Sequence, residues 1–340
     1  MKERILPSIA ILGATGAVGI ECLKLLEERK YPYKKISLLA SSRSSGKIIN
    51  YLDQKLTVEE TDESSFNEVD VVFISADTEV SLKYAPIAAS KGSLVIDDSS
   101  AFRMDDDVPL VIPEVNAEDI SMHKGIISIP NCTTTPLAMV VFAIEKIAKV
   151  ERLIVSTYQS VSGAGSLATK ELFTQSNNWL KDKKITNEVF QHPIAFSLIP
   201  QIDVFESDGY TREEHKMINE TRKILHNSEI KITSTCVRVP VPITHCESIN
   251  LELSKPVDLN SVYDALDSMK GIEVLGKENF QEYPMPYNSS GKDPVFVGRI
   301  RKDLSCENGI ALWVVSDNLR KGAALNAIQI METALSMGQI

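Results

Sequence analysis

Cys132 follows the apolar run Ile126-Ile127-Ser128-Ile129 and the pair Pro130-Asn131, and it precedes Thr133-Thr134-Thr135 and a second apolar stretch, 136–143. A strand that ends where a helix begins sets this thiol at a helix N-terminus. There, orphan backbone N–H groups and the helix dipole stabilise an anion. A cysteine so placed ionises more readily than a free one and becomes a nucleophile near neutral pH. The competing reading is a buried structural cysteine, a small hydrophobe. A nucleophile wants a proton partner, and His245 is the candidate, on the usual Cys–His logic. The other histidines (His123, His192, His215, His226) stand in polar or helix-surface contexts. Arg238, seven residues before His245, is embedded in an apolar strand. A charge there is costly unless it is paired, so Arg238 belongs either to a salt bridge or to a bound anion.

A second constellation lies near the N-terminus. The apolar run Ile9-Ala10-Ile11-Leu12 ends in Gly13-Ala14-Thr15-Gly16-Ala17-Val18-Gly19, and Cys22, Leu23, Leu25 and Leu26 continue at helical spacing. Strand, glycine turn and helix make a phosphate site, because glycines let the backbone approach a pyrophosphate that rests on the helix N-terminus. The spacing GxxGxxG is a variant of the dinucleotide fingerprint; a glycine-rich turn in some other α/β fold is the alternative. After the second strand, where an NAD enzyme keeps an acidic residue for the ribose, the chain reads Ser41-Ser42-Arg43-Ser44-Ser45-Gly46-Lys47. Hydroxyls and Arg43 suit a 2′-phosphate, which predicts NADP over NAD.

The elements that must hold these groups fall into two halves. Short apolar strands at 36–40, 69–74 and 94–97 alternate with helical segments, as in a parallel, doubly wound, Rossmann-type sheet. From about Val150 the pattern changes to long strands at 153–161, 230–239, 248–253, 295–300 and 310–315, several with period-two polarity. This predicts an α+β domain on a mostly antiparallel sheet. An amphipathic helix over 319–337 is placed to return to the first domain. The expected domains are therefore 1–132 plus 317–340 for the nucleotide and 133–316 for catalysis.

The chain has 340 residues, 43% of them hydrophobic, enough for two cores, and carries a net charge of −10. That charge argues against nucleic acid as a partner. Five scattered cysteines without CxxC spacing argue against a disulfide framework or a zinc ribbon, so no metal is expected, and they favour a reducing cytosol. No run reaches the ~18 apolar residues of a membrane span. Lys2-Glu3-Arg4 before an apolar stretch from Ile5 superficially imitates a signal peptide, but cleavage there would destroy the glycine motif.

Together these segments resemble the bacterial aspartate-β-semialdehyde dehydrogenase family over nearly the whole chain. The shared stretches are the glycine motif, Asp97-Asp98-Ser99-Ser100-Ala101-Phe102-Arg103-Met104, Val111-Ile112-Pro113-Glu114-Val115-Asn116 and Pro130-Asn131-Cys132. They continue with Gln159-Ser160-Val161-Ser162-Gly163-Ala164-Gly165, Thr211-Arg212-Glu213-Glu214-His215-Lys216, Arg238-Val239-Pro240-Val241-Pro242 and Asp317-Asn318-Leu319-Arg320-Lys321-Gly322-Ala323-Ala324. The resemblance implies NADPH-dependent reductive dephosphorylation of L-aspartyl-4-phosphate to L-aspartate-4-semialdehyde through a Cys132 thioester, in the biosynthesis of lysine/diaminopimelate, threonine and methionine. It implies His245 for the protons, Gln159 to orient the acyl group, and Asn131 for the oxyanion. It gives Arg103 and Lys216 to the phosphate, Arg238 to the α-carboxylate and Glu213 to the α-amino group. It gives the cofactor to Gly13, Ala14, Thr15, Gly16, Ala17, Val18, Ser41, Arg43, Ser44, Ser162, Gly163 and Asn318. A cytoplasmic homodimer, formed through the second domain's sheet, is also implied.

Three stretches depart from the family's commoner pattern: Asp98 in place of Asn, Ser75-Ala76-Asp77-Thr78 in place of a glycine-rich turn, and Thr134-Thr135-Pro136. The alternatives are N-acetyl-γ-glutamyl-phosphate reductase, whose acylated amine needs no counter-anion such as Glu213, and a non-catalytic NADP-binding regulator. Glyceraldehyde-3-phosphate dehydrogenase shares a Cys-Thr-Thr run but keeps the acidic residue missing here after the second strand.

Overall fold

The computed structural model describes residues 6–340; Lys2-Glu3-Arg4 and Ile5 lie outside them. In chain order the strands are β1 (Ser8–Leu12), β2 (Lys35–Ala40), β3 (Ile48–Tyr51), β4 (Gln54–Glu60), β5 (Val71–Ile74), β6 (Leu94–Asp97), β7 (Ile126–Ser128), β8 (Val150–Gln159), β9 (Lys231–Arg238), β10 (His245–Leu253), β11 (Ile272–Val274), β12 (Val295–Lys302) and β13 (Gly309–Ser316). The helices are α1 (Ala17–Glu28), α2 (Thr78–Ser90), α3 (Pro113–Asn116), α4 (Thr134–Glu145), α5 (Ser166–Leu180), α6 (Arg212–Ile224), α7 (Leu259–Asp267), α8 (Pro286–Ser289) and α9 (Leu325–Met337).

Two compact units result. The first holds the described residues up to Asn131 together with Ala323–Ile340; the second is Cys132–Gly322. The expected cuts at 132/133 and 316/317 therefore shift. Asp317 and Asn318 bond to Gly291 and Thr244, both in the second unit, which keeps this stretch there.

The first unit is a sheet in the order β3-β4-β2-β1-β5-β6-β7. Its pairings are parallel except the β3–β4 hairpin. Along β1, Ile9 and Ile11 pack with α1 and α9, whereas Ala10 and Leu12 pack with α2. Apolar residues on both faces are what a doubly wound sheet requires. Gly13 closes β1 at φ +91°, and a Cβ there would stand 2.0 Å from the Ser75 carbonyl oxygen. Only glycine lets the chain turn there onto α1.

The second unit is a sheet in the order β11-β12-β13-β10-β8-β9. The three central pairings are antiparallel; the outer pairs β8–β9 and β11–β12 are parallel. Along β8, Leu153, Val155, Thr157 and Gln159 are buried while Ile154 and Tyr158 are exposed, the alternation of a sheet covered on one face. His245, expected between two strands, instead opens β10, with Ser316 of β13 opposite. Among the described residues no helix is long and apolar enough to cross a membrane.

Candidate active site

Cys132 begins the second unit, two residues before α4. Every residue of α4 from Thr134 to Val141 is buried, the signature of a helix packed on all sides. Its N-cap, Thr133, makes no side-chain cap bond. Cys132 itself is partly exposed, whereas Cys22, Cys236 and Cys246 are buried. Burial pushes the Cys246 thiol up to about 12 and moves Cys22 and Cys236 the same way, so these three stay protonated. Gly322 lies against Cys132: a Cβ there would stand 2.9 Å from Cys132 Cβ and 3.2 Å from its carbonyl oxygen.

The peptide of Ser160, just past β8, organises the next group. Its carbonyl accepts from Arg238 Nη1 at 2.8 Å, and its N–H donates to His245 Nδ1 at 2.9 Å. Because Nδ1 is an acceptor, the neutral imidazole carries its proton on Nε2. Burial, and then the Arg238 charge, push His245 down to about 3, so it is neutral at physiological pH. Gly163 backs both groups: a Cβ there would stand 3.0 Å from Arg238 Nη1 and 3.2 Å from His245 Nε2. Arg238 is also lowered, first by burial, with Glu213 and Cys132 acting against the shift. Cys132, Arg238 and His245 thus share one electrostatic site.

The anionic side comes from α6. Thr211 and Glu214 form a capping box, and Glu214 also accepts from the Cys236 N–H at 2.9 Å, which pins the helix onto β9. Glu213, next to this anchor and buried, accepts from Gln159 Nε2 at 3.0 Å and from Lys216 Nζ at 3.1 Å. Thr157 holds the other end of the Gln159 amide at 3.0 Å. Lys216 also reaches Asp203 at 2.9 Å. Burial lowers Lys216, but the two carboxylates outweigh it and the net shift is upward. Gln159 and Arg238 are register partners on β8 and β9.

In the first unit, Arg103 is buried and donates to the Asp98 carbonyl at 2.8 Å. The partly buried Asp98 carboxyl is pushed up to about 7, by burial first, with Arg103 acting against it and Asp97 reinforcing it. The glycine loop meets the loop after β2, where Thr15 Oγ1 lies 3.3 Å from Ser44 Oγ. Gly16 precedes α1 as an N-cap with no side chain to satisfy the first turn, and Ser41 and Arg43 are exposed beside Ser44. An open helix N-terminus flanked by hydroxyls and a guanidinium fits a dinucleotide phosphate.

These units match known families separately. Residues 8–123 match the model for the semialdehyde dehydrogenase NAD binding domain, and residues 142–321 the model for the semialdehyde dehydrogenase dimerisation domain. The chain is 47% identical over 336 residues to aspartate-semialdehyde dehydrogenase of Aquifex aeolicus, covering 98% of this chain and 99% of that one. It is 45% identical over 333 residues to the Bacillus subtilis enzyme of the same name, covering 96% of each. The chain belongs to the aspartate-semialdehyde dehydrogenase family. The crystal structure of aspartate semialdehyde dehydrogenase II from Vibrio cholerae complexed with ASA superposes with a TM-score of 0.95 at 43% identity, over 98% of this chain and 99% of that one. A Candida albicans aspartate semialdehyde dehydrogenase with NADP has a TM-score of 0.75 at 26% identity, over 99% of this chain and all of that one.

For this member of the family, the second unit gathers Cys132, Gln159, Glu213, Lys216, Arg238 and His245. Asn131, Arg103 and the glycine loop belong to the first unit. Ser162, Gly163 and Asn318, expected at the cofactor, stand with the His245 group. Ser162 Oγ donates to Asn318 Oδ1 at 3.1 Å, and Gly163 backs Arg238. Ser160, Thr244 and Gly322 were not singled out from sequence. Thr244 acts through its backbone, Ser160 through its backbone and a common hydroxyl, and Gly322 through a missing side chain, none of which residue type advertises. Glu247 was also missed: neither carboxyl oxygen meets a hydrogen-bond partner, and burial pushes it well above the usual carboxylate range, so it is neutral.

Proposed function

We propose that the enzyme catalyses NADPH-dependent reductive dephosphorylation of L-aspartyl-4-phosphate to L-aspartate-4-semialdehyde. The observation that carries this reading is the pairing of two opposite buried charges around Cys132: Arg238, 7% exposed, and Glu213, 5% exposed. A substrate with an α-carboxylate and an α-ammonium matches that pair. An N-acetylated substrate would leave Glu213 without a cation from the ligand.

Cys132 thiolate adds to the acyl carbon, a C–S bond forms, and the C–O bond to phosphate breaks with its electron pair on the leaving phosphate. Arg103 and Lys216 bind that phosphate, Arg238 takes the α-carboxylate in a two-pronged contact, and Glu213 takes the α-ammonium. The resulting thioester is held by Gln159, with Asn131 and the N–H groups of α4 at its oxygen. When bound, the reduced nicotinamide supplies a hydride to the thioester carbon. His245 donates its Nε2 proton to the thiohemiacetal oxygen and takes it back as the C–S bond breaks, releasing the aldehyde and the thiolate. Gly13 to Val18 with Ser41, Arg43 and Ser44 hold the cofactor, and Arg43 and the serine hydroxyls favour the 2′-phosphate of NADP. The open face of the second sheet, with Ile154 and Tyr158 exposed, joins two copies into a homodimer. Five free cysteines suit a cytoplasmic location.

NADP⁺ reduction with aspartate semialdehyde and phosphate tests the reading. Wild type turns over with a lower KM for NADP⁺ than for NAD⁺, and Cys132→Ala loses activity by at least about 10³-fold. Equal rates in the two proteins would remove the nucleophile and favour a non-catalytic regulator. Preferred turnover of the N-acetylglutamyl analogue would move the enzyme to the sister reaction.

A further inference from the structure

The residue before His245 is strained. Thr244 is β-branched yet lies at φ +83°, in the left-handed region that such residues avoid. It is fully buried and forms the bend that delivers His245 to the start of β10. Its N–H donates to Asn318 Oδ1 at 2.9 Å. The same oxygen lies 3.2 Å from Ser160 Oγ and 3.1 Å from Ser162 Oγ, so one buried amide oxygen faces three donors. Ser160, tied on that side, aims its N–H at His245 Nδ1, and its Oγ lies 3.0 Å from the same nitrogen. Ser160 follows β8, Thr244 precedes β10 and Asn318 follows β13; these strands are neighbours in the order β13-β10-β8. Asn318 therefore ties together the ends of three strands around one imidazole.

We infer that Asn318 is a positioning residue for the proton-donating step: its side-chain oxygen holds Thr244 in the left-handed conformation and fixes Ser160. His245 is thereby presented with its proton on Nε2. This deepens the proposed reaction and rests on His245 being its proton donor. Backbone strain of this kind persists only where the surroundings over-determine it, and Asn318 Oδ1 is the acceptor that holds the Thr244 N–H. Removing that acceptor lets Thr244 relax to negative φ, and the imidazole swings away from the thioester carbon. Misplacement on the scale of an ångström costs on the order of 10²-fold in rate.

The test is Asn318→Ala in the full enzyme, assayed beside Cys132→Ala and His245→Asn. Asn318→Ala should lower kcat about 10- to 100-fold, while the KM for aspartate semialdehyde moves by less than about threefold. Adding Thr244→Gly to that variant should recover roughly tenfold, because glycine adopts positive φ without a Cβ penalty. A general loss of packing would not be repaired by a second truncation. Histidine ¹⁵N resonances, with the His245 signal assigned by its absence in His245→Asn, should report an Nε2–H tautomer in wild type and a mixture in Asn318→Ala. The inference is overturned by an undiminished kcat in Asn318→Ala, by a double variant no faster than Asn318→Ala, or by an Nδ1–H tautomer in wild type. The tautomer measurement stands even if Asn318→Ala fails to fold. If Cys132→Ala and His245→Asn leave turnover intact, the proposed chemistry itself falls; if they abolish it and Asn318→Ala does not, only the positioning role falls.

Discussion

Asp98 shows how one side chain can move a pH profile. Its carboxyl is raised to about 7 and shares the field of Arg103. Below that pH it is neutral and leaves the guanidinium to an anion; above it, a carboxylate competes for the same charge. Asp98→Asn is therefore expected to remove a pH dependence between about 6 and 8. In wild type the KM for phosphate should rise roughly three- to tenfold across that window, and in the variant it should stay flat. The sign for stability follows from linkage. A carboxyl whose folded pKa is raised contributes stability that is fully present below the unfolded value of 3.8 and lost as pH climbs through about 7. The gain in Tm from Asp98→Asn should accordingly be larger at pH 8 than at pH 5; equal gains would show that Asp98 does not titrate in that range. The identity of residue 98 was plain in the sequence. Its pKa was not, because desolvation is a property of the folded neighbourhood.

Among the elements, the ends carry the residues of the proposed chemistry. β8, β9 and β10 finish or begin at Gln159, Arg238 and His245, and α4 and α6 begin beside Cys132 and Glu213. Two glycines leave room at these ends, so adding a methyl group tests the packing directly. Gly163→Ala should displace Arg238 and His245 and lower kcat/KM by about 10²-fold or more, and Gly322→Ala should do the same through Cys132. Folding can be monitored by Tm, and a fully active Gly163→Ala would show that the site has more slack than its 3.0 Å contact implies. Long elements were legible: β8, β9, β13 and α5 follow from β-branched runs or apolar periodicity. The β3–β4 hairpin was not. It turns through Leu52 at φ +50° without a glycine, and its exposed strands alternate weakly, so neither turn chemistry nor polarity marks it. The helix expected from 319 starts as α9 at Leu325, after a π-helical turn over Arg320–Ala324. Asp317 Oδ1 accepts the N–H groups of Leu319 and Arg320 and delays the regular helix.

At the scale of the whole molecule, the face of the second sheet that carries Tyr158 is covered over β12 and β13 by the segment around Pro284, which accepts from Trp313 Nε1, and is open along β8. Tyr158 and Trp313 meet there in a tilted contact, with ring centroids 5.4 Å apart, beside exposed Ile154. Apolar groups on an open face mark an interface, and the match of 142–321 to a dimerisation domain supports a second copy as its occupant. Tyr158→Arg is expected to weaken the dimer by roughly 10- to 100-fold in Kd by sedimentation, since a buried aromatic at an interface commonly carries about 2 kcal/mol. An unchanged Kd would put the interface elsewhere. The sequence by itself determined the two halves, the glycine loop, the proposed nucleophile and the charged residues around it, because those depend on residue type, spacing and periodicity. Only the tertiary structure decided how they are held: the Nε2 proton of His245, the strain at Thr244, the three donors on Asn318 Oδ1 and the near-neutral pKa of Asp98. Each of these arises between residues distant in the chain, through backbone groups and desolvation that no local pattern encodes.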